Sequence, residues 1–149
     1  MTHGEAFNKA MKYCVYQDRC QQEVRNKLYD IGAPHESIES IISDLIEDNF
    51  LNEERFATSY ARGKFYYKDW GRVRIRMELK QRKISEYCIK KGMLEIREED
   101  YLMTIQKLIN KKGKQLGNST NVVNKNKIVN FLYNKGYESN LVWECIASA

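Results

Sequence analysis

An internal echo limits most strongly what this chain can fold into. Val24 and Leu28 are followed by Ile38, Ile75 and Leu79 by Ile89, and Ile128 and Leu132 by Val142. In each copy the last apolar residue lies ten positions after the leucine, and successive leucines are 51 and 53 residues apart. A period of this length marks an array of small supersecondary units, none of which can bury its apolar face alone. Four residues after the leucine stands Gly32 in the first copy and Gly136 in the third, where a helix that ends on a left-handed residue needs glycine. Lys83 holds that position in the middle copy, so the helix end there has to be made differently. Each copy reads as helix, turn, helix.

Flanking segments extend the pattern. Asp18 is placed to cap a helix, with Gln21 as its capping-box partner. Pro34 suits the first turn of the next helix, and Ile38, Ile41, Ile42, Leu45 and Ile46 give that helix one apolar face. Asn52 caps a further helix, with Glu53 and Glu54 at its positive end and Phe56, Tyr60, Gly63 and Tyr67 on one face. The organisation expected is an N-terminal helix over residues 5–16, a first repeat over 18–68 and a second over 69–112. The second repeat's third helix runs over 98–112 and buries Tyr101, Leu102, Ile105, Leu108 and Ile109. A Gly-, Asn- and Lys-rich linker follows over 113–121, then a short last repeat over 122–149 with two helices. No stretch alternates with period two for long enough to make a sheet. The fold class is therefore all-α: tandem three-helix repeats, about three units, in an elongated and curved array.

Charge narrows the function. From Arg62 to Lys83 nine Lys or Arg face two acids, 9 − 2 = +7, against +5 for the whole chain. Residues 1–50 carry five basic and nine acidic side chains, 5 − 9 = −4, so the front end is not the part that meets a polyanion. A field this concentrated seeks a polyanion or an acidic protein surface. Arg72, Arg76, Lys80 and Lys83 are spaced four, four and three apart, one stripe on a helix anchored by Ile75 and Leu79. Arg62 and Lys64 come from the preceding helix, and Arg74 and Arg82 flank the stripe. Guanidinium groups bind phosphate or carboxylate through paired hydrogen bonds. Among the interleaved aromatics, Tyr67 and Trp70 are expected to pack between units. Tyr66 is expected to be exposed, free to stack on a base for ~1–3 kcal/mol.

Catalytic signals are weak. His3 and His35 have no cysteine, serine or carboxylate partner at a recognisable spacing, and no nucleophile-and-base pair stands out, so no catalytic residue is assigned. Glu98, Glu99 and Asp100 most simply favour a helix N-terminus, so no metal site and no cofactor is expected. Cys14, Cys20, Cys88 and Cys145 form no CxxC pair, which suits reduced thiols in a cytoplasm, and Cys88 and Cys145 should pack as small hydrophobes. No apolar run reaches membrane-spanning length, so a soluble cytoplasmic protein is expected, and nothing demands a dimer, so a monomer.

The stretch from Phe50 resembles the RecX family of bacterial recombination regulators. The residues that carry the resemblance are Phe50-Leu51-Asn52-Glu53-Glu54-Arg55-Phe56-Ala57, Tyr60-Ala61-Arg62, Gly71, Arg74-Ile75, Glu78-Leu79 and Ile84. Val24 to Leu28, Gly32 and Ile38 resemble that family's first repeat, and the likeness covers about residues 8–147. Asn52 stands where the family has an acid, and Lys83 where it has a glycine. The resemblance implies three tandem three-helix repeats and a non-enzymatic regulator of DNA repair. Such a protein binds the RecA recombinase filament on DNA and suppresses its ATP hydrolysis and strand exchange, in homologous recombination and the SOS response. It does so by lying in the filament groove or by capping filament growth. Arg62, Lys64, Arg72, Arg74, Arg76, Lys80, Arg82 and Lys83 would then face RecA acids and DNA phosphates, with low sequence specificity. The competing expectation is a helix-turn-helix DNA-binding regulator, which would need a base-reading helix and a dimer surface.

Overall fold

In the computed structural model, residues 1–118 and 120–148 are described. Ser119, in the expected linker, and Ala149, at the end of the expected last repeat, lie outside them. Nine α-helices and no strand occur among the described residues: α1 His3–Tyr16, α2 Gln21–Asp30, α3 His35–Glu47, α4 Glu53–Lys68, α5 Arg72–Gln81, α6 Glu86–Met93, α7 Glu98–Gln115, α8 Val122–Asn134 and α9 Ser139–Ala147. The all-α array of tandem three-helix units expected from the spacing is what the chain forms.

The echo has a structural cause. Leu28, Leu79 and Leu132 are fully buried, and the carbonyl of each accepts a hydrogen bond from the amide five residues on, at 3.0, 3.1 and 3.0 Å from Ala33, Ile84 and Tyr137. This closure turns the chain from one helix into the next, and it requires a left-handed residue at the position before the donor. Gly32 (φ 79°) and Gly136 (φ 100°) supply it, and so does Lys83 at φ 60°. The middle unit thus keeps the same helix end and accepts the strain of a side chain there.

The grouping of helices departs from the expected boundaries. α1 packs on α2 and α3, α4 on α5 and α6, and α7 on α8 and α9. The third helix of each unit precedes the helix–turn–helix pair, so α1 is no extra helix and α7 completes a full last unit. In the first two units the leading helix is built alike. Ala6 and Ala10 are fully buried on α1, as are Ala57 and Ala61, 51 residues later, on α4. A Cβ on Gly92 of α6 would come within 2.8 Å of the Ala57 carbonyl oxygen, so the absence of a side chain sets how closely α4 and α6 approach.

The core divides unevenly. The first unit holds its own cluster around Val24, Leu28, Ile38, Ile41 and Leu45. The second and third share one cluster, running from Phe56 and Ile75 through Tyr101 to Leu132 and Val142. Caps follow the sequence in part. Asn52 accepts from the Arg55 amide at 2.9 Å, as its position suggested. Asp18 does not cap α2: the cap is Cys20, whose amide donates to the Glu23 carboxylate at 3.2 Å. α7 runs on to Gln115, into the stretch expected to be linker.

Candidate polyanion interface

Arg72, Arg76 and Lys80 of the expected stripe share α5, but Lys83 lies past its end in the left-handed turn, and much of the stripe's charge is answered within the fold. Arg76 meets Glu86 of α6 at 2.8 Å, Arg62 meets Glu95 at 2.9 Å, and Arg82 meets Glu78 one turn back at 3.0 Å. Its hydrogen bond to Arg76 lowers the Glu86 carboxyl below the usual range. Lys80 and Lys83 are exposed and have no ion pair among the described residues. These partners lie 4 to 33 residues from their arginines, so periodicity on one helix could not reveal most of them.

Arg72 has a different job. Its Nη1 lies 3.2 Å from Glu98 of α7, its Nε 3.4 Å from Glu138 at the start of α9, and its guanidinium stacks 3.7 Å above the Tyr101 ring. The Tyr101 hydroxyl accepts from the Arg72 amide at 3.0 Å and donates to Glu138. Burial alone would lower the guanidinium's pKa, but Tyr101, Glu138 and Glu98 together carry it above the ordinary arginine value. Arg72 is thus a clasp between the second and third units. Around it, Gly71 donates to the Lys135 carbonyl at 2.8 Å, Val73 to Gly136 at 2.9 Å, and the Tyr137 hydroxyl to the Asp69 carbonyl at 2.9 Å. Burial raises the Tyr101 and Tyr137 hydroxyls far above a free tyrosine, so both stay protonated donors.

What the structure brings together is a row of alternating cations and rings along the α4–α5 side. Arg82 lies 5.0 Å from the Tyr60 ring, and Lys64 lies 5.4 Å from that ring and 4.7 Å from Trp70. Arg74 stacks 3.8 Å above the other ring of the pair, Trp70. A cation over a ring is held without its charge being cancelled by a carboxylate, and a stacked guanidinium keeps its N–H edge outward. Lys64 and Arg74 have no ion pair among the described residues, whereas Arg82 is paired with Glu78, so the free positive charge that rings hold in place is at Lys64 and Arg74.

The aromatics resolve differently from the sequence expectation. Trp70 packs, half-buried, as expected. Tyr67 does not: it is 84% exposed. Tyr66 is exposed, but its hydroxyl donates to Asp100 of α7 at 2.7 Å. The buried side of α4 is Phe56, Ala57, Ala61 and Phe65, with the Phe65 ring against Tyr101 of α7.

Two features escaped sequence reasoning. Asp18 receives Arg55 at 2.8 Å and the Ser59 hydroxyl at 2.7 Å, which ties the first unit to α4. The second was readable: Tyr101 to Tyr137 contains seven lysines and no acid. Cys88 and Cys145 are half-buried against the core, and the deeply buried thiols are Cys14 and Cys20, burial pushing Cys20 up to about 11. Among the described residues no group of His, Cys, Asp or Glu could hold a metal, and no helix is long and apolar enough to cross a membrane.

The models of the first, second and third three-helix domains of RecX match residues 6–45, 52–93 and 98–146, the same grouping of helices that the packing gives. The regulatory protein RecX of Bacillus cytotoxicus is 27% identical over 142 residues, 95% of this chain and 53% of that protein. That of Lactobacillus johnsonii is 29% identical over 138 residues, 93% of this chain and 51% of that protein. The chain thus spans about half the length of the curated relatives it matches. A crystal structure of regulatory protein RecX superposes with TM-score 0.87 at 26% identity, covering 99% of this chain and 72% of that one. That of RecX from Lactobacillus salivarius has the same fold, with TM-score 0.86 at 23% identity, covering 98% of this chain and 95% of that one.

Proposed function

This chain belongs to the RecX family, and from that premise we propose that it is a non-enzymatic modulator of the RecA recombinase. It acts in the cytoplasm as a monomer, binds the RecA–DNA filament through the basic side of its second unit, and suppresses ATP hydrolysis and strand exchange. The observation that carries this reading is the set Tyr60–Lys64–Trp70–Arg74, whose two cations have no ion pair among the described residues, extended by the unpaired Lys80 and Lys83, while Arg82 beside Tyr60 is answered by Glu78. Rings hold Lys64 and Arg74 in place, so little conformational entropy is lost when a carboxylate or phosphate arrives. Arg72, Arg76 and Arg62 contribute through the field and the frame more than through direct contact. A base-reading helix is less well supported, because Arg72 and Arg76 of α5 are engaged by Glu98 and Glu86.

The test is the ATPase of RecA on single-stranded DNA, titrated with this protein and with its Lys64→Glu/Arg74→Glu variant. Wild type should lower the rate, and the variant should need at least tenfold more protein while keeping its helical circular dichroism. No effect of wild type would refute RecA modulation. Equal potency of the variant would refute the assigned surface.

A further inference from the structure

We propose that the third unit carries a second, separate binding groove, and that its ligand is the sugar–phosphate backbone of a nucleic-acid strand. Two adjoining concavities run along α7. The first is a shallow, open face of α7 itself that carries Lys107, Lys111 and Lys114; the second carries Lys114 and Lys125 at the rim of an apolar floor of Ile109, Ile128 and Ile146; and Gln106 and Asn110 belong to both. No carboxylate lines either of them among the described residues. Lys107 reaches Asp69 at 3.2 Å, but Lys111, Lys114 and Lys125 have no ion pair among the described residues. This sets the groove apart from the α5 stripe, whose arginines are answered by acids. The sequence gives the same reading: seven lysines stand between Asp100 and Glu138 without an acid, and α8 opens with none in its first turn, whereas α4 and α7 open with two and three. Apart from Lys107, no cation of this surface is answered by an acid among the described residues, so its field is open to an anionic partner.

The chemistry favours nucleic acid over an acidic protein. Every cation here is a lysine, a point charge that suits phosphate oxygens approached from many angles, and there is no guanidinium fork to grip carboxylates in pairs. Gln106 and Asn110 between the lysines offer amide donors to phosphate and sugar oxygens, contacts that position a strand without reading its bases. At 1.5 Å per residue, Lys107, Lys111 and Lys114 follow one another at roughly 6 and 4.5 Å along α7, one to two steps of a strand at about 3.4 Å per nucleotide. The groove lies on the third unit and the cation–ring row on the second, so one chain could hold a strand and a protein filament at once.

The experiment leaves RecA out, so that its outcome is independent of the filament reading. Fluorescence anisotropy of labelled oligothymidylate, and of a labelled duplex, is measured against salt for wild type and for Lys111→Gln/Lys114→Gln/Lys125→Gln. Three phosphate contacts contribute about 3 × 0.7 ≈ 2 to the slope of log K against log salt for a single strand. The variant should lose about that much slope on the oligothymidylate and bind at least tenfold more weakly at low salt, with unchanged helicity. The matching triple arginine variant should bind like wild type. A triple glutamine variant with wild-type slope and affinity on both probes overturns the proposal, as does a triple arginine variant as weak as the glutamine one. Polyglutamate that displaces the probe as well as unlabelled oligothymidylate does overturns the assignment to nucleic acid.

Discussion

Replacing Gly71 by alanine should break the seam between the second and third units. A Cβ at Gly71 would sit 2.2 Å from the Gly136 carbonyl oxygen and 2.5 Å from the Tyr137 amide nitrogen, both backbone atoms that no rotamer change can move. Ordinary contact begins at 3.4 Å, so the two backbones must part by about 3.4 − 2.2 = 1.2 Å. That displacement would stretch the Gly71-to-Lys135 and Val73-to-Gly136 hydrogen bonds, now 2.8 and 2.9 Å, beyond useful length. At about 1 kcal/mol per bond, plus ~1–3 kcal/mol for overpacking, the loss is roughly 3–5 kcal/mol. Urea denaturation followed by circular dichroism gives the total. Hydrogen exchange at the Gly71 and Val73 amides shows whether the seam itself opens, and both should lose protection while amides of the first unit, which has its own core, keep theirs. Wild-type stability with both amides still protected would show that the close approach does not join the units.

Three further substitutions probe other links. Lys83→Gly relieves a left-handed lysine and should raise stability by about 1 kcal/mol, or ~2–4 °C in melting temperature; a lower melting temperature would mean that the lysine side chain contributes more than its strain costs. Arg72→Ala should cost roughly 2–3 kcal/mol, from charged hydrogen bonds and stacking lost at a partly covered site, and Arg76→Ala far less by the same urea titration; equal losses would deny Arg72 its role as clasp. Burial raises the Glu53 carboxyl above its usual value, only partly offset by the Gln21 amide that donates to it at 3.1 Å. A raised acid binds its proton more tightly folded than unfolded, so its contribution to stability falls as pH climbs from the ordinary carboxylate range through the folded pKa. The stability difference between wild type and Glu53→Gln should shift in that direction over that window, and a pH-independent difference would contradict it.

How much of this was readable in the sequence depends on the distance over which each feature is determined. The helix–turn–helix echo was legible because Leu28, Leu79 and Leu132 each form a local closure spanning five residues, with a left-handed residue inside it. The phase of the repeat was lost because the leading helices mark their place with small residues. Ala6 and Ala10 match Ala57 and Ala61 at the same 51-residue offset as the leucines, but alanine pairs carry little signal in an apolar pattern. The charge excess of residues 62–83 was legible in the sequence, yet how much of it the fold leaves unpaired was not. Glu95 and Glu98 lie beyond the segment, and Glu138 is 66 residues from Arg72. Tyr67 was misplaced because the buried side of α4 runs through Phe56, Ala57, Ala61 and Phe65, so the face read through Phe56, Tyr60, Gly63 and Tyr67 ends in solvent.

Net charge and available charge therefore diverge along this chain. Residues 62–83 and residues 101–137 each sum to +7, by 9 − 2 and by 7 − 0. In the first segment arginines dominate, and acids hold four of the five: Glu95, Glu98 with Glu138, and Glu86 from beyond α5, and Glu78 from α5 itself, leaving Arg74 and Lys64 steadied by Tyr60 and Trp70. In the second all the cations are lysines, and only Lys107 reaches an acid among the described residues. Arginine's planar fork suits fixed partners and stacking, and lysine's mobile ammonium suits a solvated, non-specific surface. The two basic regions differ accordingly: salt should weaken binding at the lysine groove steeply, because Lys111, Lys114 and Lys125 have no ion pair among the described residues and are screened by dissolved ions. Contacts on the cation–ring row, held in place by aromatic faces, should resist the same salt better. If raising ionic strength weakens filament inhibition and direct strand binding in parallel, the two surfaces are not acting as physically distinct sites.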